Sequence, residues 1–100
     1  MEIKQEERHH AGSFYFDDNG KRVGEMRYLI RGGVMNIYHT EVEPSLKGMK
    51  LGHKLVDAGV NYARKYDLKI LPTCPFARRV FLQTPEYQDV MVEDYDDPVI

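Results

Sequence analysis

The stretch of this sequence best suited to chemistry is a short loop in which glycines alternate with cations. Residues 47–52 read Lys-Gly-Met-Lys-Leu-Gly and join an extended Val-Glu-Pro segment to a stretch with helical periodicity. The first turn of a helix leaves backbone N–H groups without partners, and its N-terminus carries about half a positive charge. Glycines let a ligand approach the backbone closely, and cations strengthen the positive field. The loop is therefore either a cradle for phosphate groups or a tight turn whose lysines lie in water.

The spacing of this loop excludes the two most familiar phosphate-binding motifs. It lacks the Gly-Lys-Ser/Thr of the P-loop. It also lacks the three glycines of the dinucleotide fingerprint at their required spacing. The pyrophosphate of another kind of cofactor remains as the candidate ligand.

Three residues near the loop carry side chains able to take part in catalysis. His39 and Glu41 precede it on a predicted strand and share a parity, so both are expected on one side of a sheet, where either can act as a general base. Cys74 ends the next predicted strand, directly before a helix start, where a thiol can serve as a nucleophile. The alternatives are a hydrogen-bonded core histidine and a buried, inert cysteine.

Composition indicates an ordinary globular domain. The 100 residues are 42% hydrophobic and 30% charged, enough for one core, and we expect one domain over residues 1–100 with its core at about 13–92. A net charge of -2 disfavours nucleic-acid binding through Lys47, Lys50 and Lys54. The single cysteine fits a reducing cytosol, and no apolar run approaches the ~20 residues of a membrane helix. We expect a cytoplasmic protein with a solvated, flexible acidic tail at residues 93–100.

The periodicity of apolar and polar residues predicts the strands and helices that position these residues. Residues 13–17, 21–30 and 34–44 alternate between apolar and polar and are separated by turn signals, which predicts an antiparallel meander. On its third strand Met35, Ile37, His39 and Glu41 are expected on one face. An amphipathic helix is predicted from Leu51, Leu55, Ala58, Tyr62 and Tyr66. Residues 68–74 then form a parallel strand, 76–83 a second helix, and 84–92 a capped turn with a short strand or loop. The fold class is α+β.

The motif around the loop resembles the acetyl-CoA-binding motif of the GNAT N-acetyltransferase superfamily. There a strand ending in Val-x-Pro runs into Arg/Gln-x-x-Gly-x-Gly/Ala, and Lys47 matches the first position and Gly52 the last. Lys50 stands where the family usually has glycine, and its side chain either crowds the pyrophosphate or adds a cation to it. His-Thr-x-Val at 39–42, Cys74 and Tyr-x-Asp-Val at 87–90 are similar to the short, single-domain YidJ-like members. The similarity covers about residues 13–92.

The resemblance implies a GNAT-like fold, in which an antiparallel meander is followed by a helix, a parallel strand and a second helix. It implies acetyl-CoA as cosubstrate and an unidentified amine as acceptor. The two parallel strands would splay between Glu41-Val42 and the strand ending at Cys74, with the Val42 amide polarising the thioester carbonyl. Cys74 either accepts the acetyl group, with His39 as its base, or only contacts the cofactor. The implied coenzyme A contacts are Val42, Lys47, Gly48, Met49, Lys50, Leu51, Gly52, His53, Cys74, Phe76, Arg78 and Arg79.

Several alternatives stay open. Phe76 also suits the core, and Arg78 and Arg79 also suit a solvated helix face. The family often uses a tyrosine of the last helix as general acid, but residues 76–83 contain none, and Tyr87 is more readily a core aromatic. No metal site is expected, because His9 and His10 would point to opposite faces of a strand. A monomer or weak dimer is expected, and the alternative function is a coenzyme A-binding module with little activity of its own.

Overall fold

The meander predicted from the turn signals is present and has one more strand at its N-terminus. The structure is a computed structural model that describes residues 2–92; the acidic tail at residues 93–100 lies outside the described residues. The strands are β1 (Ile3–Arg8), β2 (Ala11–Asp18), β3 (Lys21–Arg31), β4 (Val34–Val42) and β5 (Lys69–Pro72), and the α-helices are α1 (Leu51–Lys65) and α2 (Pro75–Gln83). Two 3₁₀ helices cover Pro44–Met49 and Pro85–Tyr87. The sheet order is β1-β2-β3-β4-β5, antiparallel except for the parallel β4–β5 pair.

Strand β1 was missed by the sequence analysis because it lies at the edge of the sheet. It pairs with β2 from Ile3–Phe16 to Arg8–Ala11, and Ile3 is its only half-buried residue. Charged side chains on an edge strand discourage pairing with other chains, which explains a strand of such polar composition. The prediction that His9 and His10 lie on a strand is wrong. Both have positive φ, 55° and 66°, and form the turn between β1 and β2.

A β-bulge in β4 changes which residues of that strand face the helices. Tyr28 pairs with Ile37, but the preceding residue Arg27 pairs with His39, so β4 contains one extra residue at this point. A bulge of this kind reverses the alternation of the residues that follow it. Beyond it, Thr40 pairs with Met26, which is fully buried beneath α1. The prediction that His39 and Glu41 share a face with Met35 and Ile37 is therefore wrong.

The buried face of helix α1 includes two glycines, of which Gly59 lies against the sheet. A Cβ on Gly59 would lie 2.9 Å from Met26 Cε, so this glycine permits a close approach of the helix to β3. The helix ends at Lys65, and Tyr66, which was predicted on its buried face, is 54% exposed. The buried residues of α1 are Leu51, Gly52, Leu55, Val56, Gly59, Val60 and Ala63.

The segment after α2 returns to the outer edge of β5. The Ile70 N–H donates to Val90 O at 2.6 Å, and the Val92 N–H donates to Ile70 O at 3.0 Å. Within residues 2–92, no helix is long and apolar enough to cross a membrane.

Candidate active site

The parallel strands β4 and β5 separate partway along β4. Their last pair is Ile37–Pro72, and the N–H groups of both Thr73 and Cys74 converge on Ile37 O at 3.0 Å. Beyond this point β4 continues to Val42, paired with β3 alone. The sheet is consequently open on the β5 side of the last residues of β4.

The backbone amide of Val42 points into this opening. The neighbouring Glu43 N–H donates to Val23 O at 2.8 Å, on the β3 side. Because successive N–H groups along a strand point to opposite edges, the Val42 N–H points away from β3. It is thus a backbone donor that the β3–β4 ladder does not use.

A cleft of about 440 Å³ adjoins this opening, and we call it the β4–β5 cleft. It is lined by Thr40, Val42, Lys50, Leu51, Gly52, His53, Phe76 and Arg79. The lining residues come from the end of β4, the start of α1 and the first turns of α2. They include two cations and no carboxylate, so the lining suits an anionic ligand.

The N-terminus of α1 is open to such a ligand. No side chain caps it, and no acidic residue lies in its first turn. Lys50 precedes the helix with φ 55° and ψ 34°, the left-handed region that favours glycine. This is the loop position where GNAT proteins usually have glycine, so the backbone conformation is present although the residue differs.

Gly52 has a packing role in addition to any role in ligand approach. A Cβ at this position would lie 2.6 Å from Phe76 Cζ and 2.8 Å from Cε2. The Phe76 ring also packs against His53 in an edge-to-face arrangement, with ring centroids 5.6 Å apart. Gly52 therefore allows the first turns of α1 and α2 to meet along one wall of the cleft.

Cys74 lies behind the cleft lining. It is the N-cap residue of α2, with φ -69° and ψ 130°, and is only 5% exposed. Its Sγ donates to the Thr40 hydroxyl oxygen at 3.5 Å. Thr40 itself lines the cleft and was not predicted as a site residue, because the bulge that turns it toward the helices has no signal in the strand's alternation.

His39 and Glu41 lie on the opposite face of the sheet from Cys74. Their side chains are 3.4 Å apart (Nε2 to Oε2), and the Glu41 side chain is 73% exposed. No helix among residues 2–92 covers this face. Since the sheet separates His39 from Cys74, this arrangement contradicts the prediction that His39 acts as the base for Cys74. Both remain available to a molecule that reaches the opening from the uncovered face.

The remaining predicted contacts do not line the cleft. Gly48 and Met49 are exposed on the 3₁₀ helix before α1, and the backbone of Lys47 belongs to the same helix. Arg78 is half-buried in α2. The cleft brings together seven of the predicted residues, namely Val42, Lys50, Leu51, Gly52, His53, Phe76 and Arg79.

The Tyr-x-Asp-Val segment fastens the C-terminal part of the chain to α1. The Tyr87 hydroxyl donates to Asp57 at 2.9 Å, and Arg64 donates to both carboxylate oxygens of Asp89 at 2.8 and 3.1 Å. Burial, together with the hydrogen bond to Asp57, raises the pKa of Tyr87 to about 12. Tyr87 does not line the β4–β5 cleft. Its observed contacts are structural.

A sheet whose parallel pair separates beside an uncapped helix N-terminus defines a GNAT-like fold. The family model of GCN5-related N-acetyltransferases matches residues 13–90. The chain therefore belongs to the GCN5-related N-acetyltransferase family. None of the curated proteins matches it.

Solved structures support this assignment. The chain is similar to a GCN5-like protein from Staphylococcus aureus, with 36% identity and a TM-score of 0.71, over 97% of this chain and 95% of the other. It shares its fold with a ribosomal-protein-alanine N-acetyltransferase from Brucella melitensis, at 16% identity and TM-score 0.69, over 93% of this chain and 70% of the other. Tetrahymena GCN5 also shares the fold, at 15% identity and TM-score 0.63, over 90% and 65% of the two chains.

Proposed function

We propose that this protein transfers an acetyl group from acetyl-CoA to an amine, with the cosubstrate bound in the β4–β5 cleft. The observation that carries the proposal is the Val42 N–H, which the β3–β4 ladder does not use and which points into the opening beside that cleft. A donor in this position can stabilise the negative charge that develops on a thioester carbonyl oxygen under attack.

The lining of the cleft supports an anionic, elongated cosubstrate. The free amides of the first turn of α1, with Lys50 and Arg79, suit the diphosphate. The apolar ring of Phe76 suits the uncharged arm that connects the diphosphate to the sulfur. Family membership supports the same cosubstrate, because GCN5-related N-acetyltransferases typically use acetyl-CoA.

In the proposed reaction the acceptor amine arrives from the uncovered face of the sheet. An amine must lose a proton to act as a nucleophile, and Glu41 and His39 are the general-base candidates on that face. The amine nitrogen forms a bond to the acetyl carbon, the carbon–sulfur bond breaks, and the base takes the proton from nitrogen. An extended or peptide-like amine suits this side, because no helix among the described residues encloses it.

Cys74 has two possible roles in the proposal. The one favoured by its 5% exposure and its contact with Thr40 is to support the cleft from behind. The other is transient acetylation of its thiol. Intact-mass measurement after incubation with acetyl-CoA separates them, since a gain of one acetyl group in the native protein but not in Cys74→Ala would establish the covalent route.

The second candidate function is a coenzyme A-binding module with little transfer activity. The observation in its favour is the exposure of His39 and Glu41 on a face without a covering helix in residues 2–92, which leaves the acceptor side shallow. Release of free thiol from acetyl-CoA with a panel of amines and basic peptides distinguishes the two. No release above background by a protein that binds acetyl-CoA would favour the binding module.

The sharpest test of the proposal removes the Val42 amide. Val42→Pro deletes an N–H that the β3–β4 ladder does not use, whereas the matched control Val42→Ala shortens the side chain and keeps the amide. Loss of one such donor is expected to lower kcat by about 10²- to 10³-fold. Equal activity of the folded Val42→Pro and Val42→Ala proteins would contradict the proposed role of the amide.

A further inference from the structure

We propose that Thr40 donates the hydrogen bond that stabilises the departing thiolate of coenzyme A, and that Cys74 is a positioning residue that orients the Thr40 hydroxyl. This inference rests on the proposed function, because it assigns a role to one more residue of the same cleft.

The position of Thr40 follows from the β4 bulge. Without the extra residue, Thr40 would face away from the helices; with it, Thr40 faces α1 and lines the β4–β5 cleft beside Val42. Thr40 is two residues before the amide proposed to bind the carbonyl oxygen. Thr40 is half-buried, and like Val42 it lines the cleft in which we propose that the cosubstrate binds.

The hydrogen bonds around Thr40 leave its own proton available. Its oxygen accepts from the Cys74 thiol at 3.5 Å, and among residues 2–92 no acceptor is found for the hydroxyl proton. The other hydroxyl at the opening, that of Thr73, already donates to Asn36 Oδ1 at 2.7 Å. Thr40 is the hydroxyl here that can donate to a ligand. Because Cys74 occupies one lone pair of the Thr40 oxygen, it restricts the rotation of the O–H bond.

The chemistry favours a hydrogen-bond donor at this place. When the carbon–sulfur bond breaks, the electron pair stays on sulfur, and a hydrogen bond stabilises the resulting thiolate. Thr40 keeps its proton throughout, and the proton that converts the thiolate to the thiol comes from water. Residues 75–83 contain no tyrosine, and the Tyr87 hydroxyl is engaged by Asp57, so neither supplies this donor.

The test measures the pKa of the thiol of bound coenzyme A, which needs no acceptor amine. The ultraviolet absorbance of the coenzyme A thiolate is followed as a function of pH, with the same protein without coenzyme A as the reference. The four proteins compared are the native protein, Thr40→Val, Thr40→Ser and Cys74→Ala. A hydrogen bond to a charged group is expected to lower the thiol pKa by about one unit in the native protein relative to Thr40→Val. Thr40→Ser, which keeps the hydroxyl, should retain most of this shift, and Cys74→Ala should retain only part of it.

Calorimetric titration with coenzyme A separates failure of this inference from failure of the proposed function. If the folded native protein does not bind coenzyme A, the proposed function and the role of Thr40 both fall. If it binds, and Thr40→Val has the same thiol pKa as the native protein, only the role of Thr40 is overturned. If the thiol pKa of coenzyme A bound to Cys74→Ala is as low as in the native protein, the positioning role of Cys74 is overturned. Once an acceptor amine is known, Thr40→Val should lower the kcat of acetyl transfer about tenfold and leave KM unchanged.

Discussion

Alanine in place of Gly52 tests whether packing requires this glycine. The added Cβ would lie 2.6 Å from Phe76 Cζ, far inside the ~3.5 Å separation of carbon atoms in contact. The Phe76 ring also packs against His53 on α1 in an edge-to-face arrangement, which limits the directions in which the ring can move. Overpacking of this kind costs about 1–3 kcal/mol, and the better helix propensity of alanine offsets up to about 1 kcal/mol of it. With this offset taken in full, we expect Gly52→Ala to lower the free energy of unfolding by up to about 2 kcal/mol.

Urea unfolding of four proteins measures this effect. The set is native, Gly52→Ala, Phe76→Leu and the double variant, since leucine has no atoms at the Cζ and Cε positions of the ring. In the Phe76→Leu background the alanine should be neutral or stabilising, by up to about 1 kcal/mol. If Gly52→Ala stabilises the native background by the same amount, the contact between Gly52 and Phe76 does not constrain this position and the reasoning is refuted.

Three further predictions concern other parts of the chain. In urea unfolding, the free energy of unfolding of Lys50→Gly should be about 1 kcal/mol higher than that of Lys50→Ala. Glycine adopts the left-handed backbone conformation of this position without the steric cost that alanine has there. Equal free energies would contradict this. Glu7 Oε1 accepts hydrogen bonds from the hydroxyls of Tyr28 and Tyr62 at 2.7 and 2.8 Å. Glu7→Ala should therefore lower the free energy of unfolding by about 2–3 kcal/mol, and Glu7→Gln should lower it less. The same loss in both variants would argue against these bonds. Burial and the bond to Glu7 raise the pKa of Tyr62 from 10.0 to about 12, so Tyr62 stays protonated in the folded state while it ionises in the unfolded chain. The free energy of unfolding should therefore fall between about pH 10 and 12, less steeply in Tyr62→Phe than in the native protein.

The sequence predicts the elements around the loop well because their signals are local. Asn19-Gly20 forms a turn with positive φ at both residues, as a tight hairpin requires. The glycine-punctuated loop leads into α1, and a strand and a second helix follow in the predicted order. These features depend on residues close together in the chain.

The features that were missed depend on contacts between distant parts of the chain. β1 is a polar edge strand. It is linked to the core by hydrogen bonds from the hydroxyls of Tyr28 and Tyr62 to Glu7, which join residues far apart in the sequence. The β4 bulge is invisible in an alternating pattern, yet it decides that Thr40 and not His39 faces the cleft. Seven of the eight residues that line the cleft therefore belong to the predicted set, and the place of Thr40 follows from the register between β3 and β4.

Acetyl-CoA binding followed residue by residue tests the central claim most directly. In a ¹H–¹⁵N NMR titration, the amides of Val42, Leu51, Gly52 and His53 should show the largest chemical-shift changes. The turn at Gly32 and Gly33, at the other end of the sheet, should be unaffected. Absence of changes at the α1 N-terminus at saturating ligand, or changes centred on that far turn, would contradict binding in the β4–β5 cleft.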